Sequence, residues 1–204
     1  MKKILIIVFF IFLSLPAIPA SIGMDDFLPM LAKTWIAEAE KLEYAGDYNS
    51  ALSAYMNAKV YNPINWESYY GIAKCLDNQK KYQDAITYYS ETIDKYTNSY
   101  NNLNYYLLAR FYLQRAVCYL QLHSFQRCLD DIELVEKYYP KDGRNMHSDI
   151  YYTKAMAKAG LGNYREAIKS MKMAKLYLDK SKDKEELQTY DRIISIFKTR
   201  VDTN

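Results

Sequence analysis

The chain is poor in the residues that turn-rich or metal-bound folds depend on: its 204 residues include six Gly, five Pro, two His and three Cys. Scarce Gly and Pro argue against a sandwich or barrel built on frequent tight turns. So few His and Cys make a structural zinc site hard to assemble. Excess charge is lacking too. The formal net charge is +3, too small to provide the field that a nucleic-acid partner requires. What is present is hydrophobicity, at half of all residues, and 22 Tyr. That composition excludes wholesale disorder, and the length suits one domain or one compact array.

Residues 1–20 read as a signal peptide. Lys2 and Lys3 precede an apolar run from Ile4 to Leu13, Pro16 breaks it, and the small residues Ala17 and Ala20 follow. This is the order of basic, apolar and cleavage regions in secretory leaders, and the run is short of the ~20 residues a membrane span needs. Cleavage is expected after Ala20, with an uncleaved signal anchor as the alternative. No Cys stands directly after the run, as it would in a bacterial lipoprotein, and no N-glycosylation sequon occurs, so a bacterial periplasm is the expected destination. Losing Lys2 and Lys3 brings the charge to +1, which leaves no broad field for nucleic acid or anionic lipid.

The body repeats itself. Gly46-Asp47-Tyr48-Asn49-Ser50-Ala51-Leu52 returns 34 residues later as Lys80-Lys81-Tyr82-Gln83-Asp84-Ala85-Ile86. It returns again as Gly162-Asn163-Tyr164-Arg165-Glu166-Ala167-Ile168, and in diverged form as His123-Ser124-Phe125-Gln126-Arg127-Cys128-Leu129. Each copy is a turn, an aromatic residue and then a small residue opening a helix. Trp35, Ala39 and Leu42, and again Ala51, Tyr55 and Ala58, recur at steps of three and four, the spacing of one helical face. Ala39 and Ala51 are small where two backbones must approach; a larger side chain there would cost roughly 1–3 kcal/mol.

In period and in its aromatic and small positions the pattern resembles the tetratricopeptide repeat, four copies in register. The resemblance implies an all-α fold: a right-handed α-solenoid of four helix pairs spanning 32–65, 66–99, 109–142 and 148–181. Residues 21–31 form a lead-in, and insertions fall at 100–108 and 143–147. Tyr105-Tyr106-Leu107-Leu108 is expected to lengthen the helix that follows. Lys80 replaces the turn Gly, Thr92 and Thr97 replace a late Ala and Pro, and Cys128 stands where Ala is usual. Lys158 departs from an apolar position, which predicts looser seating of its helix. Residues 184–204, with Leu187, Tyr190, Ile193, Ile194, Phe197 and Val201 at helical spacing, read as the capping helix that solenoids need; docking a partner is the alternative use.

No motif for catalysis is present: no Gly-rich phosphate loop, no G-x-S-x-G and no H-E-x-x-H. The expectation is a non-enzyme without cofactor or metal. His123 and His147 read as structural or solvated. Cys75, Cys118 and Cys128 read as small buried hydrophobes, with a Cys118–Cys128 disulfide as the alternative.

The family resemblance implies that the first helix of each pair lines a concave groove for a protein or peptide. By register the groove positions are Lys33, Ile36, Glu40 and Tyr44; Glu67, Tyr70, Lys74, Asp77 and Asn78; Arg110, Leu113, Val117 and Gln121; and Asp149, Tyr152 and Met156. Tyr70, Leu113, Val117, Tyr152 and Met156 would form a sticky floor, with Lys74 and Arg110 supplying charge for an acidic or C-terminal ligand. Ile36 and Glu40 stand where some members place a carboxylate clamp, so that mode is disfavoured. The expected function is an interaction scaffold in the cell envelope. A subunit docking a solute-binding or membrane component is the second reading, and an enzyme or small-ligand binder the remote third. Self-association through open solenoid ends is a further possibility.

Overall fold

The protein is described by a computed structural model covering residues 24–99, 101–139, 146–179 and 181–202. The signal-peptide reading, and residues 143–145 of the second insertion, lie outside the described residues. Among those residues there are nine helices and no strand: α1 (Met24–Tyr44), α2 (Tyr48–Tyr61), α3 (Trp66–Asn78), α4 (Tyr82–Ser99), α5 (Tyr105–Gln121), α6 (Phe125–Tyr138), α7 (His147–Gly160), α8 (Tyr164–Leu176) and α9 (Lys184–Asp202). α1–α8 pair in sequence as four antiparallel hairpins, and α9 packs on α8. This is the all-α solenoid with a terminal helix that the repeat pattern predicts.

The turn inside each hairpin explains why the repeats start where they do. In each, the chain enters the left-handed region at one residue: Gly46 (φ 78°), Lys80 (φ 61°), His123 (φ 55°) and Gly162 (φ 79°). The next amide reaches back to close the helix, as from Asp47 to Leu42 O (2.9 Å) and from Lys81 to Leu76 O (2.9 Å). Glycine adopts this conformation freely; Lys80 and His123 adopt it at a cost. Asp47 then caps α2 by accepting from the Ser50 amide at 3.1 Å. Asn65 and Asn104 cap α3 and α5 in the same manner.

The repeat positions do what their sizes require. Ala39, Ala51, Ala58, Ala73, Ala85, Ala116, Ala167 and Ala174 are wholly buried at the helix crossings, and Cys128 fills the equivalent place in the third pair. Thr92, the substitute for a late Ala, is also buried, and its hydroxyl is satisfied by Tyr88 O of its own helix at 2.8 Å. Lys158, at its departure from the apolar pattern, has a partner. It is half-buried and lies 3.6 Å from Glu166, across the hairpin. At the end of the array, Tyr190, Ile194 and Phe197 of α9 cover Ala155, Ala167, Met171 and Ala174, while Lys175 pairs with Asp191 at 2.6 Å.

Two features depart from a uniform 34-residue stack. The lead-in is not a separate element: α1 begins at Met24 and runs through it, and the buried Leu31 and Ala32 continue its apolar face. Pro29 lies inside α1, at its sixth residue, where its lack of an N–H removes one backbone bond of the helix. The first insertion is absorbed by two long helices. α4 continues to Ser99 and α5 begins at Tyr105, and the Tyr96 hydroxyl accepts from the Asn104 amide at 2.9 Å to hold the connection. Ile93, Tyr96, Leu108 and Phe111 form a small additional core there.

Candidate functional site

The first helices face one another along one side of the array. α1 touches α3, and α5 touches α7, whereas among the described residues no comparable contact joins the second helices α2, α4, α6 and α8. The first helices are therefore the inner layer. α3 and α5 approach each other less closely than the other inner neighbours do. Aromatic side chains bridge that wider step: Phe111 lies 5.3 Å from Trp66, 5.0 Å from Tyr70 and 5.4 Å from Tyr96, ring centre to ring centre.

A cleft of about 180 Å³ opens beside this bridge, lined by Ile36 and Glu40 of α1, Tyr55 of α2, Trp66, Glu67, Tyr70, Gly71 and Lys74 of α3, and Leu107 and Phe111 of α5. Gly71 makes the inner wall possible. A Cβ at that position would run into the Tyr55 ring, so glycine lets the ring lie against the α3 backbone.

The floor of the cleft is polar but saturated. Glu43 accepts from the Tyr55 hydroxyl at 2.8 Å and from the Lys74 ammonium at 2.6 and 2.8 Å. Burial, then the Glu43 carboxylate, holds the Tyr55 hydroxyl far above the usual phenol range. Burial also raises the Tyr70 hydroxyl, and the neighbouring Arg110 offsets part of that rise. One turn beyond Lys74, burial raises the Asp77 carboxyl, with the Cys118 thiol and Tyr89 hydroxyl opposing it. The Tyr89 hydroxyl is itself buried and, among the described residues, has no well-formed hydrogen bond; Asp77 is near enough to perturb it but does not complete one.

Placement of the sequence-derived groove residues is uneven. Ile36, Glu40, Tyr70 and Lys74 converge on the cleft with Glu67. Lys33, Asn78, Arg110 and Gln121 are exposed, Val117 is half-buried, and Tyr44 is 97% exposed, the most open large hydrophobic side chain among the described residues. Leu113, by contrast, is only 3% exposed and belongs to the core of the third pair, so it is not floor. Tyr152 stacks on Tyr190 of α9 at 5.4 Å, and Met156 packs in the same cluster, so both serve the cap. Lys74 is spent on Glu43, which removes one of the two cations expected to meet an acidic ligand.

Tyr55, Trp66, Gly71, Leu107 and Phe111 line the cleft without having been expected there. Leu107 lies in the insertion, outside the repeat frame, and Phe111 counts as a groove wall only because α5 stands away from α3. Their spacing of four on one extended helix was the available signal.

Among the described residues no group of His, Cys, Asp and Glu could hold a metal ion, and no helix is long and apolar enough to cross a membrane. Cys75, Cys118 and Cys128 are free and buried, so the alternative of a Cys118–Cys128 disulfide is not realised.

Comparison with known proteins agrees with this architecture. Residues 36–100 match the family described as tetratricopeptide repeat. Sperm-associated antigen 1 of Homo sapiens is 28% identical over 185 residues; the match covers 89% of this chain but spans 17% of that protein's length. MamA from residue 41 to its end, from Desulfovibrio magneticus RS-1, superposes with a TM-score of 0.64 at 18% identity, over 84% of this chain and 89% of that one. TTC0263, a thermophilic TPR protein of Thermus thermophilus, gives 0.59 at 18% identity, over 84% of each chain. The TPR2B domain of yeast Sti1, solved as a complex with pHsp70, gives 0.54 at 18% identity, over 64% of this chain and 98% of that one. At these identities the likeness establishes the fold.

Proposed function

We propose that this chain, whose residues 36–100 match the tetratricopeptide-repeat family, is a non-catalytic scaffold that binds a protein or peptide on its inner face, at the cleft between α1, α3 and α5. The observation that carries this reading is the cleft itself. It is a concave site with apolar and aromatic walls and a few placed charges, on the face where helices from successive repeats converge. The yeast Sti1 domain, solved with a pHsp70 partner, shows that this fold can serve such a role. The proposed location is the bacterial cell envelope, on the strength of the leader-like residues 1–20. A role in docking a solute-binding or membrane component of an envelope complex is the narrower form of the same proposal.

The test is site-specific photo-crosslinking in the cells of origin. A benzophenone amino acid replaces Glu40 or Glu67 at the cleft, or Lys172 on the second-helix layer. A discrete crosslinked partner from positions 40 and 67, absent at 172, supports the inner face. A partner crosslinked only at 172 moves the interface to the outer layer and overturns the cleft reading. A protein found in the cytoplasmic fraction at full length overturns the envelope assignment.

A further inference from the structure

The cleft's own charges select among ligands. Of the four cleft-side carboxylates, Glu43 is fully engaged by Lys74 and Tyr55. Asp77 lies further along α3 and is disfavoured as an anion by its burial. Glu40 and Glu67 remain, both exposed, both lining the cleft mouth. Among the described residues neither forms an ion pair; Glu67 is touched only by the Asn65 side chain and cap at its own helix start. On the cationic side, Lys74 is neutralised within the floor, Arg110 stands beside the Tyr70 hydroxyl, and Lys33 is exposed about one turn from Ile36 along α1. The carboxylates of the cleft lining that no cation pairs, Glu40 and Glu67, thus flank an apolar slot whose accessible walls are the half-buried Trp66, Tyr70 and Leu107, backed by the buried Ile36 and Phe111.

An acidic side chain or a terminal carboxylate entering this slot would face Glu40 and Glu67 and find Lys74 already occupied. A basic residue next to an apolar one satisfies both features, because the apolar side chain fills the slot while the cation stays at the wet rim between the carboxylates. Resting on the inner-face reading, the geometry points to a partner segment in which an aromatic or large aliphatic residue is adjacent to Lys or Arg, internal to the chain rather than at its carboxyl end. This reverses the acidic-ligand expectation drawn from Lys74 and Arg110. Specificity here is set as much by what the two carboxylates repel as by what they attract.

The experiment uses the full chain on an array of peptides Gly-Ser-X-Z-Ser-Gly, with X and Z varied over all residues and each peptide made both amidated and with a free carboxyl end. The expected result is enrichment for X apolar and Z basic, by about fivefold over Z acidic at low salt and less at high salt, with no gain from a free carboxylate. The Glu40→Lys/Glu67→Lys chain, altered only at exposed positions and checked for unchanged helicity, is expected to reverse the preference at Z while keeping that at X. Apolar peptides bound without regard to Z, yet lost when the slot is blocked by Leu107→Asp in a folded protein, overturn the charge inference and leave the inner-face reading standing. A preference for acidic Z or a free carboxylate overturns it as well. Peptides bound identically by the wild-type and both variant chains, or none bound at all, overturn the inference together with the cleft reading beneath it.

Discussion

The Lys74 ammonium lies 2.6 Å from one carboxylate oxygen of Glu43 and 2.8 Å from the other, tying the second helix pair to the first. Both side chains are mostly buried, and Tyr55 donates to the same carboxylate. Lys74 is therefore a fastener between repeats. Replacing it by Met leaves a largely buried carboxylate with one neutral donor, and the expected cost is about 1–2 kcal/mol, above the 0–1 kcal/mol typical of exposed pairs. Thermal unfolding followed by circular dichroism measures this. A Lys74→Met protein that melts like the parent but no longer captures its partner would show that Lys74 binds ligand instead.

The four hairpin turns provide an internal comparison. They share one backbone conformation, but Gly occupies it in the first and fourth pairs, and Lys80 and His123 in the second and third. A side chain in the left-handed region costs about 1 kcal/mol that glycine avoids, less glycine's extra freedom when unfolded. Lys80→Gly and His123→Gly are each expected to raise stability by a few tenths up to about 1 kcal/mol. Urea midpoints decide it: a loss of stability would mean that the Lys80 or His123 side chain makes a contact worth more than the strain.

Those turns also show how much of the fold was legible. The aromatic and small residues that flank each turn recur with the chain's own period, so helix pairing, the small crossing residues and the covering role of Tyr190, Ile194 and Phe197 could be read from spacing. The candidate site was legible only where it follows that period. Ile36, Glu40, Tyr70 and Lys74 sit in register and meet at the cleft. Leu107 and Phe111 do not, because the insertion resets the frame before α5. Leu113 satisfies the register yet is buried, since a periodic pattern gives the face of a helix but not how closely the next helix approaches. Pairing such as Lys74 with Glu43, across 31 residues, leaves no local trace at all.

The three cysteines yield a chemical prediction. Burial pushes the Cys75 and Cys128 thiols up to about 12, and Cys118 higher still beside Asp77. Thiolate is the reactive species, and a thiol titrating near 12 is ionised to about one part in ten thousand at pH 8. With all three also closed off from solvent, the folded chain is expected to give essentially no reaction with a disulfide reagent at pH 8, and three equivalents once unfolded in guanidinium. A fast-reacting equivalent in the native protein would place one thiol at a surface that opens readily.

Arg115 and Asp131 form the most buried ion pair among the described residues. Arg115 of α5 donates from Nε and one Nη to the two Asp131 oxygens at 2.8 and 2.6 Å, and from its other Nη to Ser90 Oγ at 2.9 Å, joining α4, α5 and α6. Burial raises the Asp131 carboxyl above its ordinary value, and Arg115 recovers only part of that rise, while Asp131 in turn strengthens the charged form of Arg115. As pH climbs from the ordinary carboxylate value through the raised one, the unfolded chain releases this proton first, so the Asp131 contribution to stability falls across that interval. Desolvation outweighs the attraction at Asp131 while the attraction outweighs desolvation at Arg115, so neither partner can be removed alone without stranding the other. Asp131→Ala is expected to destabilise by about 3 kcal/mol because it strands a buried guanidinium, whereas Arg115→Met/Asp131→Leu is expected to recover most of that loss and to drop the Asp131 component of the acid pH dependence. Urea unfolding of the three proteins from pH 4 to 7 measures both effects. A double variant no more stable than Asp131→Ala would mean that the hydrogen bond to Ser90, rather than the charge on Arg115, holds these helices in place.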